Sequence, residues 1–108
     1  MALRDENCVP CRDGGATLTQ EEILALREEL PGWEIKDGHQ LHKRLTFEDF
    51  ASALLWLNCA ATICEGEGHH ADFGLGWGYV TVDIWTHKAG GLTRSDAVLA
   101  AKLDPIEP

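Results

Sequence analysis

The sequence predicts an α+β domain in which three helices cover one face of a four-stranded antiparallel sheet, in the order α-β-β-α-β-β-α. Three observations carry this prediction. Three apolar stretches repeat at helical intervals, and each follows a residue suited to capping a helix. Two further stretches, rich in alternating or β-branched residues, lie between them. Each of those is broken near its middle by glycine in a way that folds a strand back on itself. The 108 residues give one ordinary domain with a modest core.

Residues 1–18 form a polar N-terminal segment with a C-x-x-C at Cys8 and Cys11, and residues 19–108 form the single domain. In "TLTQEEILALREELPGW", Thr19 and Glu22 have the spacing of a capping box, and Ile23, Leu26 and Leu30 repeat until Pro31 and Gly32 stop the run. The spacing predicts a helix from about Glu21 to Leu30. "WEIKDGHQLHKRLTF" alternates apolar and polar residues on both sides of Asp37-Gly38, which supplies the positive backbone angles of a tight turn between two strands. "TFEDFASALLWLNCAATICEGEG" returns to helical spacing, with Phe50, Leu54, Leu57, Ala61 and Cys64 along one face and a capping pattern over Thr46 to Asp49. "ADFGLGWGYVTVDIWTH" reads as a second hairpin with Trp77 to Thr86 as its longer strand. Gly90 and Gly91 break the chain, and "LTRSDAVLAAKLD" closes with a third helix in which Thr93 and Asp96 have cap and third-position spacing.

Composition excludes several classes of function. A net charge of -9 repels phosphate backbones and removes the counterion-release energy that drives nucleic-acid binding, so no direct DNA or RNA partner is expected. The apolar stretches are too short and too interrupted to span a bilayer, and the polar start lacks the apolar core of a secretory signal, so the expected location is cytoplasmic. The five-residue spacing of Cys59 and Cys64 on a helix does not complete a zinc site with Cys8 and Cys11. Those two cysteines are expected to act as small apolar residues, and the C-x-x-C as a terminal hook or an adventitious disulfide. The edges of a four-stranded sheet, and the many apolar residues around the second helix (Leu54, Leu55, Trp56 and Leu57), point to a homo-oligomer, a dimer or a tetramer.

Candidate chemistry concentrates at Glu65, His69, His70, His87 and Asp96. Imidazole titrates near neutral pH and can give or take a proton under working conditions. Spacing leaves three readings open: exposed loop histidines, a metal site, and an acid/base pocket in which His69 and His70 converge because Gly66 and Gly68 let the chain bend. His39 and His42, amid Gln and Lys, read as solvent-facing strand residues. Trp33, Trp56, Trp77 and Trp85 read first as core or interface aromatics, any of which is flat enough to wall a heterocycle.

"GHHADFGLGWGYVTVDIWTHKAGGLTRSDAVLAAKLD" strongly resembles pterin-4a-carbinolamine dehydratase, whose signature joins a His-His pair, a strand ending in Thr-His, a Gly-Gly-Leu-Thr turn and an Asp opening the last helix. "LPGW" and the N-terminal "CVPC" resemble bacterial members, so the likeness covers nearly the whole chain. Ala71 stands where the family usually has proline, and Gly78-Tyr79 replaces a frequent Tyr-Asn. The resemblance implies dehydration of a 4a-hydroxytetrahydropterin to the quinonoid dihydropterin, the step that recycles tetrahydrobiopterin or a related pterin after an aromatic amino-acid hydroxylase has used it. It implies no metal and no organic cofactor. By the same resemblance His69 and His87 are acid/base groups, His70 binds substrate at the catalytic centre, and Glu65 and Asp96 orient the imidazoles. Trp33 and Thr86 are further substrate-binding candidates. A second reading comes from relatives that serve as binding proteins, a dimerisation cofactor of a homeodomain transcription factor and scaffold-like assembly factors of a carbon-fixing enzyme. Such a role needs the surface and not the pocket.

Overall fold

Thr19 opens the first helix as its spacing requires: its hydroxyl accepts the Glu22 N–H at 3.2 Å, and the Glu22 carboxylate accepts the Thr19 N–H at 2.9 Å. Two of the unsatisfied donors at the helix start are thereby paired. The computed structural model describes residues 3–8 and 17–107. Helix α1 spans Gln20–Glu29, and Leu26 and Leu30 are buried beneath it. Strands β1 (Glu34–Lys36) and β2 (Gln40–Thr46) follow. The turn between them has Asp37 at φ 55° and Gly38 at φ 63°, the left-handed backbone that a tight hairpin demands.

Helix α2 spans Phe50–Glu67, and its cap is Asp49, whose carboxylate accepts the Ser52 N–H at 2.7 Å. Thr46 instead ends β2, which corrects the capping pattern expected there. The buried stripe is Ala53, Trp56, Ala60 and Cys64, whereas Phe50 and Leu54 of the expected face are 43% and 38% exposed. An apolar helix satisfies several helical spacings at once, and packing selects among them. Ala53 and Ala60, both fully buried, let the helix approach its neighbours closely. Trp56 belongs to the core at 3% exposure, so it is not available to a partner, while Leu55 is 67% exposed.

Strands β3 (Asp72–Gly76) and β4 (Tyr79–Ile84) pair through a turn at Trp77-Gly78. The longer strand is therefore shorter than expected at both ends. Gly78 takes φ 79°, and a Cβ there would also crowd the Phe47 carbonyl, so glycine is what lets the chain reverse. The antiparallel sheet has the order β1-β2-β4-β3. Val80, Val82 and Ile84 alternate inward on β4, and their cross-strand partners include Leu41, Leu45, Phe73 and Leu75. The other face carries His42, Asp83 and Asp72 in one row across β2, β4 and β3.

Helix α3 spans Arg94–Leu103 and is buried on nearly every side. The sheet and α2 cover part of it, and a short 3-10 turn at Leu3–Asp5 covers more, with Leu3 in the core, the Lys102 ammonium donating to the Arg4 carbonyl at 2.9 Å, and Arg94 paired with Glu6. Cys8 follows, its thiol pushed up to about 12 by burial and by the Glu67 carboxylate. A thiol so held is a poor nucleophile at neutral pH. Cys11 and any pairing with it lie outside the described residues. Cys64 is buried, as an apolar reading requires, but Cys59 is exposed, because five residues rotate it to a different side of α2. Among the described residues no helix is long and apolar enough to cross a membrane.

Candidate functional site

Three chain segments meet at one end of the sheet. At the end of α2, Gly68 takes φ 67° and its N–H bonds back to the Cys64 and Glu65 carbonyls, while the His69 N–H reaches the Cys64 carbonyl at 3.2 Å. This left-handed ending stops the helix and turns the chain toward the sheet. Beyond β4, Thr86 bridges to Gly91, its N–H donating to the Gly91 carbonyl at 2.9 Å, and the enclosed loop presents His87. The first turn of α3 supplies Asp96. Together they form a groove of about 350 Å³ lined by Gly68, His69, His70, Asp72, Trp85, Thr86, His87 and Lys88.

Each groove imidazole has its own carboxylate. His69 Nε2 lies 2.6 Å from Asp96 Oδ1, His70 Nε2 lies 2.6 Å from Glu65 Oε1, and His87 Nε2 lies 3.4 Å from Asp72 Oδ2. The first pair is the inner one, with side-chain exposures of 15% and 0%, whereas the other two pairs are open to water. A carboxylate as buried as Asp96 is costly unless its lone pairs are satisfied. Its Oδ2 accepts from the Thr93 N–H at 2.7 Å and the Thr86 hydroxyl at 2.8 Å, leaving Oδ1 for His69. Asp96 also sits at the positive end of the α3 dipole. One residue therefore both caps a helix and orients an imidazole. Hydrogen bonding to a carboxylate assigns the proton to His69 Nε2, which leaves Nδ1 with the lone pair.

The family model for pterin 4 alpha carbinolamine dehydratase matches residues 16–106. The chain belongs to that family. A relative from Rubrobacter xylanophilus, provisionally named a pterin-4-alpha-carbinolamine dehydratase, is 42% identical over 104 residues, covering 96% of this chain and 97% of its own. One from Chlorobium limicola with the same name is 45% identical over 103 residues, covering 93% and 91%. The crystal structure of a transcriptional coactivator/pterin dehydratase from Brucella melitensis superposes with a TM-score of 0.79 at 29% identity, over 84% of this chain and 98% of that one. A pterin dehydratase-like protein described as a RuBisCO assembly factor in the alpha-carboxysome shares the fold, with a TM-score of 0.56 at 21% identity over 68% and 84%.

In this member of the pterin carbinolamine dehydratase family the structure brings together Glu65, His69, His70, His87 and Asp96, the five residues that the sequence singled out for chemistry. Thr86 is beside them, its hydroxyl engaged by Asp96 and Thr93 inside the protein. Trp33 is elsewhere: it is buried, its indole N–H donates to Asp104 at 2.8 Å, and it borders a different hollow with Arg27 and Pro31. Asp72 was missed. Its one signal was an acid opening a strand otherwise made of Phe, Leu and Gly, and only the fold places it beside His87. His39 and His42 are half-buried rather than solvent-facing, since His42 pairs with Asp83 at 2.8 Å and the His39 ring packs at a tilt against Trp85 with centroids 4.4 Å apart. No group of three His, Cys, Asp or Glu among the described residues is arranged to hold a metal ion.

Proposed function

We propose that the protein dehydrates a 4a-hydroxytetrahydropterin to the quinonoid dihydropterin by histidine acid/base catalysis, in the recycling of tetrahydrobiopterin or a related pterin. The observation that carries this reading is the set of three imidazoles, each next to a carboxylate, around one groove. In the reaction an acid protonates the departing 4a-hydroxyl, the C–O bond breaks to release water, and a base removes a proton from a ring nitrogen whose N–H pair becomes the new C=N bond. Protons and water are all that move, so the chemistry needs neither metal nor organic cofactor. His69, with Nδ1 carrying the lone pair, and His87 are the acid/base groups; His70 binds substrate at the open rim, oriented by Glu65. An aromatic amino-acid hydroxylase is the pathway partner that would supply the substrate. The complete histidine set favours this reading over a purely structural or assembly role, for which no imidazole is needed.

Stopped-flow measurement of carbinolamine breakdown with and without the protein tests the proposal, and acceleration that survives dialysis against a chelator is the expected result. Loss of the acceleration with the metal would overturn the acid/base account, and no acceleration at all would favour the binding role.

We also propose that the protein is a homo-oligomer, with the exposed apolar strip of α2 at Phe50, Leu54 and Leu55 covered by another copy. Sedimentation at micromolar concentration should show a species heavier than the 11.9 kDa chain, and Leu55→Glu should dissociate it. A persistent monomer rejects the oligomer, and an unchanged mass in the variant rejects this interface. Trp56→Glu is no test of it, because that side chain is in the core.

A further inference from the structure

We propose that Trp85 and His39 are positioning residues for His87, a proposal that rests on the reading of His87 as an acid/base group. Alternation along β4 sends Val80, Val82 and Ile84 inward, and continuation of that alternation places Asp83, Trp85 and His87 on the opposite, open face. There His87 is poorly restrained by polar contacts. Its side chain is 59% exposed, and Asp72 at 3.4 Å is beyond a well-formed hydrogen bond. What the ring does touch is Trp85, with centroids 4.0 Å apart and planes inclined at 48°. The same indole packs on His39 at 4.4 Å.

His39 is itself held. Its Nδ1 lies 3.2 Å from Gln40 Oε1, the Gln40 amide donates to Asp83 Oδ1 at 2.8 Å, and that oxygen is also 2.8 Å from His42 Nδ1. The brace thus runs from a hydrogen-bonded cluster on β2 and β4, through His39 and the half-buried indole, to the imidazole at the groove. Tilted packing against a fixed, flat partner restricts both side-chain torsions of His87 without occupying either ring nitrogen, which a stronger hydrogen bond would do. An acid/base group must be held in place and yet keep a nitrogen for substrate, and a stack meets both needs.

The size of the effect follows from rotamers. Three χ1 wells and a roughly two-fold χ2 leave a free imidazole about six arrangements, so release from the stack should lower kcat by about three- to tenfold. KM should stay within about twofold, because His70, the substrate-binding imidazole, is untouched. Trp85→Leu is the test, with Trp85→Phe expected to recover most of the loss and His39→Ala to reproduce part of it. The independent readout is NMR: the His87 ring protons, shifted by the indole ring current, should move toward free-histidine positions in Trp85→Leu and stay near wild type in Trp85→Phe. A raised KM with unchanged kcat would make Trp85 a substrate wall instead. A loss beyond a hundredfold, or unmoved His87 resonances, would equally overturn the proposal. If the wild-type protein shows no dehydratase activity, the acid/base reading fails, and the NMR shifts still decide whether the stack holds His87.

Discussion

Asp96→Asn is expected to leave the protein folded while lowering kcat by about a hundred- to ten-thousandfold, the range for an imidazole held in the wrong tautomer. The asparagine oxygen can keep the Thr93 N–H and the Thr86 hydroxyl that Asp96 Oδ2 accepts. Its amide nitrogen must then face His69 Nε2, where a carboxylate oxygen stood at 2.6 Å. An N–H there can only donate, so the imidazole proton moves to Nδ1 and the lone pair that would face substrate is lost. Asp96→Ala separates the structural role. It leaves the Thr93 N–H and the His69 N–H without their acceptor, and denaturant unfolding should show a loss of about 2–5 kcal/mol. An Asp96→Asn protein with near-normal kcat would show that the carboxylate serves the helix cap alone.

His87→Ala is expected to lower the dehydration rate by about ten- to a thousandfold, and the His69→Ala, His87→Ala double variant to retain almost none. The two imidazoles enter the groove from different elements, His69 from the end of α2 and His87 from the loop after β4, so they can serve opposite faces of a flat substrate. Each single variant then keeps the other group. His87→Ala should leave stability nearly unchanged, since the side chain is 59% exposed and its contacts, the Trp85 ring and Asp72 at 3.4 Å, lie at the surface of the groove. An unchanged rate in that variant would remove His87 from the mechanism. Equal losses in both single variants and the double would mean that the two act as one unit rather than as alternatives.

The fold was legible because its signals are local. The Thr19–Glu22 box, the Asp37-Gly38 turn and the Asp96 position at the start of α3 each depend on backbone needs that a few neighbouring residues meet. Local signals misled where several neighbours satisfied the same rule. The pattern over Thr46 to Asp49 put the cap on Thr46, but β2 uses that residue and the cap of α2 falls to Asp49. The apolar residues of α2 offered several faces, and the one chosen places small Ala53 and Ala60 against the core with Trp56 between them.

The sequence by itself carried the order of elements, the five candidate residues Glu65, His69, His70, His87 and Asp96, and, through a resemblance spanning nearly the whole chain, the family. Tertiary structure decided the pairings. Asp96 is 27 residues from His69, Asp72 lies on a neighbouring strand from the segment that bears His87, and His39 reaches Trp85 from the other hairpin. The physical reason is that capping and turn formation are energies of a few adjacent residues, whereas an imidazole's partner is fixed by strand register and helix packing. A one-residue slip in register would send Asp72, His42 and Asp83 to the opposite face. The residue types are written in the chain, but which of them share a hydrogen bond is set only when the sheet closes.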